Sequence, residues 1–274
     1  MISVLILTLN EEANLPACLE SVKWSDDIVV FDSLSSDRTV EMAKAAEARV
    51  VQRKFDNYSA QRNAALKVDF KYPWVLMVDA DEVVPDDLHV EIVDALTKVS
   101  QDVEMFRLRR KDLFLGKWLR RSGGYPTWFP RLFRVGCVWV EREINEEMHC
   151  KGAVANLAAH LVHYPFNKGI AFWLERHNRY SSMEAVALAQ ETRTKMRLMS
   201  LFSRDPVVRR KGLKQLAYRL PCRPLIVFVY LYVIRMGFLD GAAGLRYCRM
   251  RAIYEYMIDL KVMELHRREK GQPV

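Results

Sequence analysis

The first hundred residues constrain the fold most, because short apolar runs alternate there with helical periodicity and each run ends in a burst of polar residues. Ser3 to Leu9, Asp27 to Asp32, Arg49 to Gln52 and Trp74 to Asp79 are brief, rich in β-branched side chains and closed by turn formers, which predicts strands. Between them, Asn14 before Leu15 and Pro16, Ser36 or Asp37 before Thr39, Ser59 to Lys67 and Asp87 to Lys98 predict helices with their caps. Such alternation predicts an α/β, Rossmann-like, mostly parallel sheet flanked by helices, with ligands bound beyond the carboxyl ends of the strands. Farther on, Met105 to Arg109, Arg131 to Val135 and Val138 to Glu141 read as strands that complete the sheet, and helical signals dominate from Phe172.

Charge and cysteine usage narrow the class. Residues 193–274 hold 18 Lys+Arg against 6 Asp+Glu, whereas residues 1–192 hold 24 against 28, although the whole chain is +8. An acidic body suits an enzyme that holds a metal, and a basic tail suits a polyanionic surface. The five cysteines form no CxxC pair, which argues against a zinc ribbon, a thioredoxin site or a disulfide framework and leaves a reducing cytosol as the expected compartment. The opening MISVLILTLNEE lacks a basic n-region and a small-residue cleavage site, so it reads as a first strand. The longest apolar run, Leu225 to Ile234, has about half the ~20 residues needed to span a bilayer. Neither GxxxxGK nor GxGxxG occurs, so ATPase and dehydrogenase readings lack a phosphate loop.

Three successive strand ends carry groups able to do chemistry: Thr8-Leu9-Asn10-Glu11-Glu12, Asp32 before Ser33-Leu34-Ser35-Ser36-Asp37, and Asp79-Ala80-Asp81-Glu82. Strand alternation predicts that Asp79 and Asp81 point the same way, and two carboxylates there can hold Mg²⁺ or Mn²⁺ and through it a diphosphate. The competing use of such acids is to cap the following helix, as Ser36 or Asp37 can. Asp32 precedes its turn, where it suits hydrogen bonds from a ribose or a base N–H. Arg62, in a helix opening at Tyr58, can reach a phosphate or remain a solvated surface arginine. His160 and His163 have no third ligand spaced nearby, and a packed, hydrogen-bonded role competes with metal binding.

Together these segments, with Gln61-Arg62-Asn63-Ala64-Ala65 and Trp74-Val75-Leu76-Met77-Val78-Asp79-Ala80-Asp81-Glu82, resemble the ordered markers of family 2 inverting glycosyltransferases of the GT-A fold. Phe129-Pro-Arg131-Leu-Phe133-Arg134, Ile144-Asn145-Glu146, His163-Tyr164-Pro165, Trp173, His177-Asn178-Arg179-Tyr180-Ser181 and Gly237-Phe-Leu-Asp240-Gly241-Ala-Ala-Gly244-Leu245 are similar to the bacterial branch with the lipopolysaccharide-core β-glucosyltransferases. Two positions depart from the pattern: Leu34 stands where the second marker usually has glycine, and Asn145 where many relatives have histidine.

The resemblance implies transfer of a sugar, most often from UDP, to an acceptor hydroxyl with inversion at the anomeric carbon. It implies a divalent cation on Asp81, with His163 as a further metal or diphosphate contact, and Glu146 as the base that takes the acceptor's proton. Thr8, Asn10, Glu11, Asp32, Arg62 and Asp79 then bind the nucleotide sugar. It also implies a nucleotide-sugar-binding half at 1–100, an acceptor-side half at 101–192 and a basic amphipathic helical tail at 193–274. The expected acceptor is a hydroxyl of a cell-envelope glycan or glycolipid such as lipopolysaccharide core.

For the tail, buried core helices compete with an in-plane surface on anionic lipid, and nucleic acid ranks last because no aromatic–basic stacking module is present. The expected location is cytoplasmic, peripheral on the inner face of the cytoplasmic membrane. The enzymatic rival is a haloacid-dehalogenase-type phosphatase built on Asp79 and Asp81, which expects that motif on a first strand; the other rival is a non-catalytic nucleotide-binding membrane-surface protein.

Overall fold

The structure is a computed structural model that describes residues 1–141, 147–192 and 222–274. The chain divides into two compact units, Met1–Trp118 with Tyr125–Lys168, and Leu119–Gly124 with Gly169–Val274.

The first unit is an α/β sheet. Its strands are β1 (Ser3–Thr8), β2 (Ile28–Asp32), β3 (Arg49–Gln52), β4 (Trp74–Asp79), β5 (Glu82–Val83), β6 (Val103–Phe114), β7 (Lys117–Trp118), β8 (Trp128–Arg134) and β11 (Ala153–His163), with β9 (Val138–Glu141) and β10 (Glu147–Cys150) as a separate ribbon. Its helices are α1 (Leu15–Val22), α2 (Thr39–Ala45), α3 (Tyr58–Ala65) and α4 (Asp86–Lys98). The strand order is β3-β2-β1-β4-β8-β6-β11-β5, with β7 on β6. The first four strands are mutually parallel, β8 runs antiparallel to both β4 and β6, and β6 and β11 are again parallel. The expected mostly parallel sheet with flanking helices is therefore present, and all four N-terminal strands and helices lie where the sequence puts them.

Continuous apolar runs form these strands because both faces of the sheet are covered. Val4, Ile6, Val30, Leu76 and Val78 pack on one face against Leu15, Cys18, Leu19 and Val22 of α1 and Leu88 and Ile92 of α4. The alternate residues Leu5, Val29, Phe31, Val75 and Met77 pack on the other face, with Ala65 of α3. Three details differ from the sequence reading. β6 runs five residues past Arg109, and β8 starts three residues before Arg131. Asn14 does not cap α1 with its side chain; its amide instead donates to Glu11 Oε2 at 2.8 Å.

The second unit is helical, as expected for a C-terminal extension. It comprises α5 (Gly169–Thr192), α6 (Arg223–Val229) running into a wider turn at Tyr230–Ile234, a short 3₁₀ turn at Gly237–Asp240, and α7 (Gly241–Glu269). The part of the basic tail at 193–221 lies outside the described residues. Ala185 and Leu188 of α5 pack on Tyr254 and Ile258 of α7. A Cβ on Gly244 would come within 2.2 Å of the Gly237 carbonyl oxygen, so only glycine lets α7 approach the preceding turn. The Asp240 carboxylate accepts hydrogen bonds from the backbone N–H groups of Arg121 and Ser122 and from the Ser122 hydroxyl, which fastens Leu119–Gly124 to this unit. Among the described residues no single helix is long and apolar enough to cross a membrane.

One side chain in this unit sets a pH dependence. The His177 ring stacks on Trp173 at 3.5 Å between centroids and its Nδ1–H donates to the Trp173 carbonyl. Burial disfavours the charged ring and lowers its pKa from 6.5 to about 4. Because the folded value lies below the unfolded one, the stabilisation of the neutral ring is complete above pH 6.5 and is lost as pH falls toward about 4. We expect the difference in urea midpoint between wild type and His177→Phe to shrink or reverse from pH 7 to pH 4.5; a constant difference would contradict this.

Candidate active site

The site is assembled at the carboxyl ends of β1, β2 and β4. After β1 and β2 the chain turns through residues that resist the required backbone: Asn10 and Leu34 both adopt left-handed conformations, with φ of 54° and 62°. Leu34 thus occupies the conformation that makes glycine the usual residue at this position of the marker, at a cost of roughly 1–2 kcal/mol. Reciprocal hydrogen bonds between the two loops hold them there. The Asn10 N–H donates to Ser35 Oγ at 2.8 Å and Asn10 Oδ1 accepts from the Ser36 N–H at 2.7 Å. The Glu11 N–H donates to Thr39 Oγ1, and the Glu12 N–H to Asp37 Oδ2.

Asp32 is fully buried and accepts from four donors: Thr8 Oγ1 at 2.9 Å, the Ser35 N–H at 2.9 Å, the Ser35 hydroxyl, and Gln52 Nε2 at 3.0 Å. Thr8 and Asp32 are thus partners, and Asp32 also orders the turn behind it. Glu11 accepts from Lys168 Nζ at 2.5 Å as well as from Asn14. Burial pushes its carboxyl pKa up, and Lys168 and Asn14 oppose that rise.

The three consecutive residues Gln61-Arg62-Asn63 of α3 each fasten a different element. Gln61 donates to Ser33 Oγ at 2.8 Å in the loop after β2, and Arg62 pairs with Asp79 Oδ1 at 3.4 Å. Asn63 exchanges two hydrogen bonds with the backbone of Val140 in β9, at 2.8 and 2.9 Å. That strand leads into residues 142–146. The predicted base Glu146 lies outside the described residues.

Asp79 and Asp81 part company, because β4 ends at Asp79 and Asp81 sits in the turn before β5. The Asp79 carboxylate is held by Arg131, which also donates to Glu82 Oε1 at 2.7 Å. Burial raises the Asp79 pKa, but Arg131 and Arg62 outweigh it and hold the carboxyl well below the usual range. Asp81 instead meets His163. Strand β5 pairs antiparallel with β11, which sets His163 opposite Glu82 and brings its Nε2 to 3.2 Å from Asp81 Oδ2. The other ring nitrogen donates to Asp112 Oδ1 at 2.7 Å, and Arg110 supports Asp112 at 2.8 Å and Glu82 at 3.4 Å. Burial opposes a charge on His163, but Asp112 and Asp81 raise its pKa to about 9. His160, three residues earlier, hydrogen-bonds the Tyr125 hydroxyl at 2.8 Å.

The structure therefore brings Asp81 and His163 together and Arg62 to Asp79, while Thr8, Asn10, Glu11 and Asp32 form the adjoining double loop. Sequence reasoning gave no role to Arg131, Arg110 and Asp112. Arg131 lies within the quoted Phe129-Pro-Arg131-Leu-Phe133 segment, but only the register of β8 reveals its partners; Asp112 becomes visible only through its pairing opposite His163.

Among the described residues no group of three His, Cys, Asp or Glu side chains could enclose a metal ion. The Asp81 carboxylate fits a hard divalent cation that completes its shell with a ligand's phosphate oxygens, and His163, whose ring Asp112 fixes, can join it only where the cation displaces the proton that its Nε2 shares with Asp81. A phosphatase nucleophile fits less well, because Asp79 is already paired with Arg62 and Arg131.

These elements define an α/β class of protein with a polar site at its strand ends. The family model for glycosyl transferase family 2 matches residues 3–152, and the chain belongs to that family. An uncharacterized glycosyltransferase of Rickettsia bellii is 36% identical over 102 residues, which is 37% of this chain and 34% of that protein. The chain thus spans about a third of the length of the Rickettsia relatives it matches. The lipopolysaccharide core biosynthesis glycosyltransferase LpsC of Rhizobium meliloti is 24% identical over 97% of this chain and 93% of its own length. The crystal structure of S. aureus TarS 1-349 superposes with a TM-score of 0.43 at 14% identity, covering 99% of this chain and 92% of that one.

Two outcomes follow from the geometry. Arg131→Met should leave Asp79 and Glu82 uncompensated and lower stability by about 3–5 kcal/mol in urea unfolding; a loss below about 1 kcal/mol would mean the network is dispensable. Leu34→Gly should remove the left-handed penalty and, after the larger chain entropy of glycine, raise stability by up to ~1 kcal/mol. A destabilised Leu34→Gly would show that the leucine is not strained.

Proposed function

We propose that the protein transfers a hexose, with inversion, from a UDP-linked sugar to a hydroxyl of a cell-envelope glycan or glycolipid. The single observation that carries this reading is the Asp81–His163 pair, backed by Asp112, beside the double loop that holds Asp32. Family membership supports the reaction class. The likeness to LpsC along nearly the whole chain supports an envelope acceptor such as lipopolysaccharide core. On this reading the enzyme works from the cytoplasm, peripheral to the inner face of the cytoplasmic membrane.

The residues divide the work as follows. Thr8, Asn10, Glu11 and Asp32 would form the side of the site that takes the base and ribose, and a base N–H or ribose hydroxyl would replace one of the internal donors now on Asp32. Arg62 and Asp79, already paired, set the position of the sugar and diphosphate beside β4. Asp81 and His163 would hold Mn²⁺ or Mg²⁺. When bound, the cation neutralises charge on the departing diphosphate. Glu146, as general base, takes the proton of the acceptor hydroxyl as its oxygen bonds to the anomeric carbon. The bond from that carbon to the diphosphate oxygen breaks on the opposite face, which gives inversion.

Two measurements test this. UDP should raise the melting temperature more with Mn²⁺ present than without it, and Asp81→Asn should abolish the Mn²⁺-dependent part. Glu146→Gln should reduce transfer at least about a thousandfold while leaving UDP affinity within about twofold. An active Glu146→Gln enzyme would remove the base assignment, and a thermal response to UDP indifferent to both Mn²⁺ and Asp81 would remove the metal assignment. Calorimetric titration with UDP-glucose, UDP-galactose and their N-acetyl forms identifies the donor.

A further inference from the structure

The helical unit carries a surface that the site chemistry does not use. From Leu225 to Leu239, nine large apolar residues are exposed: Leu225, Ile226, Val229, Tyr230, Val233, Ile234, Met236, Phe238 and Leu239. The first six recur in adjacent pairs every four residues, which places them on one stripe of the helix that begins at Arg223 and continues through the wider turn to Ile234. The opposite stripe is also apolar: Val227, Phe228, Leu231 and Tyr232 are half-buried, and Phe228 and Tyr232 stack at 5.3 Å. A helix that is apolar all round belongs in a protein core or in lipid. Here one full face is open, with Leu225 at 60% and Ile234 at 67% exposure.

Charge identifies the occupant. Between residues 222 and 254 the only acid is Asp240, and it is buried and engaged by Arg121 and Ser122. Arg223 is buried and neutralised by Glu255. The charges that reach solvent there are therefore all positive: Arg246 and Arg249 are exposed on the first turns of α7, and Arg235 and Arg251 are half-buried. Asp259, partly exposed, is paired with Arg223 at the start of this helix. An apolar stripe followed in the chain by solvent-facing arginines matches an anionic lipid leaflet, with hydrocarbon to receive the stripe and headgroup phosphates to receive the arginines.

Length sets the depth. The twelve residues Arg223–Ile234 make a rod of only about 18 Å, against a hydrocarbon core of about 30 Å. The helical path then bends by 73° into α7. Leu225–Ile234 is thus too short to cross a bilayer by itself, and a short apolar rod followed by a sharp bend suits a segment seated in one leaflet.

We propose that Leu225–Leu239 is a shallow in-plane membrane anchor, with Arg246 and Arg249 contacting anionic headgroups. The proposal names the surface behind the peripheral location given above, but it stands on exposure and charge and is tested without the sugar-transfer reaction. The full-length protein should co-sediment with phosphatidylglycerol/phosphatidylcholine vesicles and only weakly with pure phosphatidylcholine. Leu225→Glu/Val229→Glu/Val233→Glu should weaken binding at least tenfold to both vesicle types, with the UDP-induced thermal shift unchanged. Arg246→Gln/Arg249→Gln should weaken binding to the anionic vesicles only, by roughly fivefold per arginine. In wild type, hydrogen exchange at 225–239 should slow on addition of anionic vesicles, a readout that needs no substitution. Failure of the wild type to bind vesicles, or binding by the triple variant equal to wild type, would overturn the proposal. So would a stripe that instead mediates self-association, seen as a dimer that the triple variant makes monomeric while vesicle exchange protection is absent. Vesicle binding by a protein that ignores every nucleotide sugar would leave the anchor standing and sink the transferase reading alone.

Discussion

A guanidinium almost wholly removed from water organises the working end of the sheet. Arg131 lies where β8 departs from regular pairing with β6, and its donors reach both Asp79, the last residue of the central strand, and Glu82, the first residue of the short strand that follows. Taking Arg131 and Glu82 out of water beside a half-buried Asp79 is costly, and it is tolerable only because each charge faces an opposite one. Glu82 returns part of that compensation to the backbone, since its second oxygen accepts from the Asp79 N–H at 3.0 Å. The turn carrying Asp81 is therefore fixed at both ends by one buried ion network, and the Asp81 carboxylate stays free to face His163.

The same network explains why neighbouring carboxylates behave differently. Asp79 is surrounded by Arg131 and Arg62 and stays ionised, whereas Glu11, closed in with a single lysine, is pushed toward its neutral form. His163, caught between Asp112 and Asp81, retains a proton far above its ordinary range. Such divergence among groups packed at one strand end is what a site for a highly charged ligand requires, because positive and negative positions are both defined before the ligand arrives.

Local patterns made the sheet legible. Val4–Leu7, Ile28–Phe31 and Trp74–Val78 are apolar at every position because both faces of the sheet are covered, and the polar residues that end β1, β2 and β4 stand where the chain leaves the core; both signals survive in a single sequence. Pairing across the chain left no such trace. Nothing around Asp112 distinguishes it from a surface acid until β11 is placed beside β6, and Arg131 reads as an ordinary strand arginine until the irregular β6–β8 register turns it toward Asp79. Alternation also misplaced Asp81, since the strand stops two residues before it. The tail was legible in charge but not in arrangement: the outward stripe on Leu225–Ile234 depends on which side of the helix packs on α7.

The stapled loops after β1 and β2 carry a consequence for how such a chain can diverge. Each loop contains a non-glycine residue in a left-handed turn, and each supplies the hydrogen bonds that keep the other's turn closed. Neither loop can relax alone, because freeing one removes the support of the other. The two stretches, some twenty-five positions apart in the chain, should therefore be inherited as a matched pair. A graft of one without its counterpart would carry the strain across without the bonds that offset it.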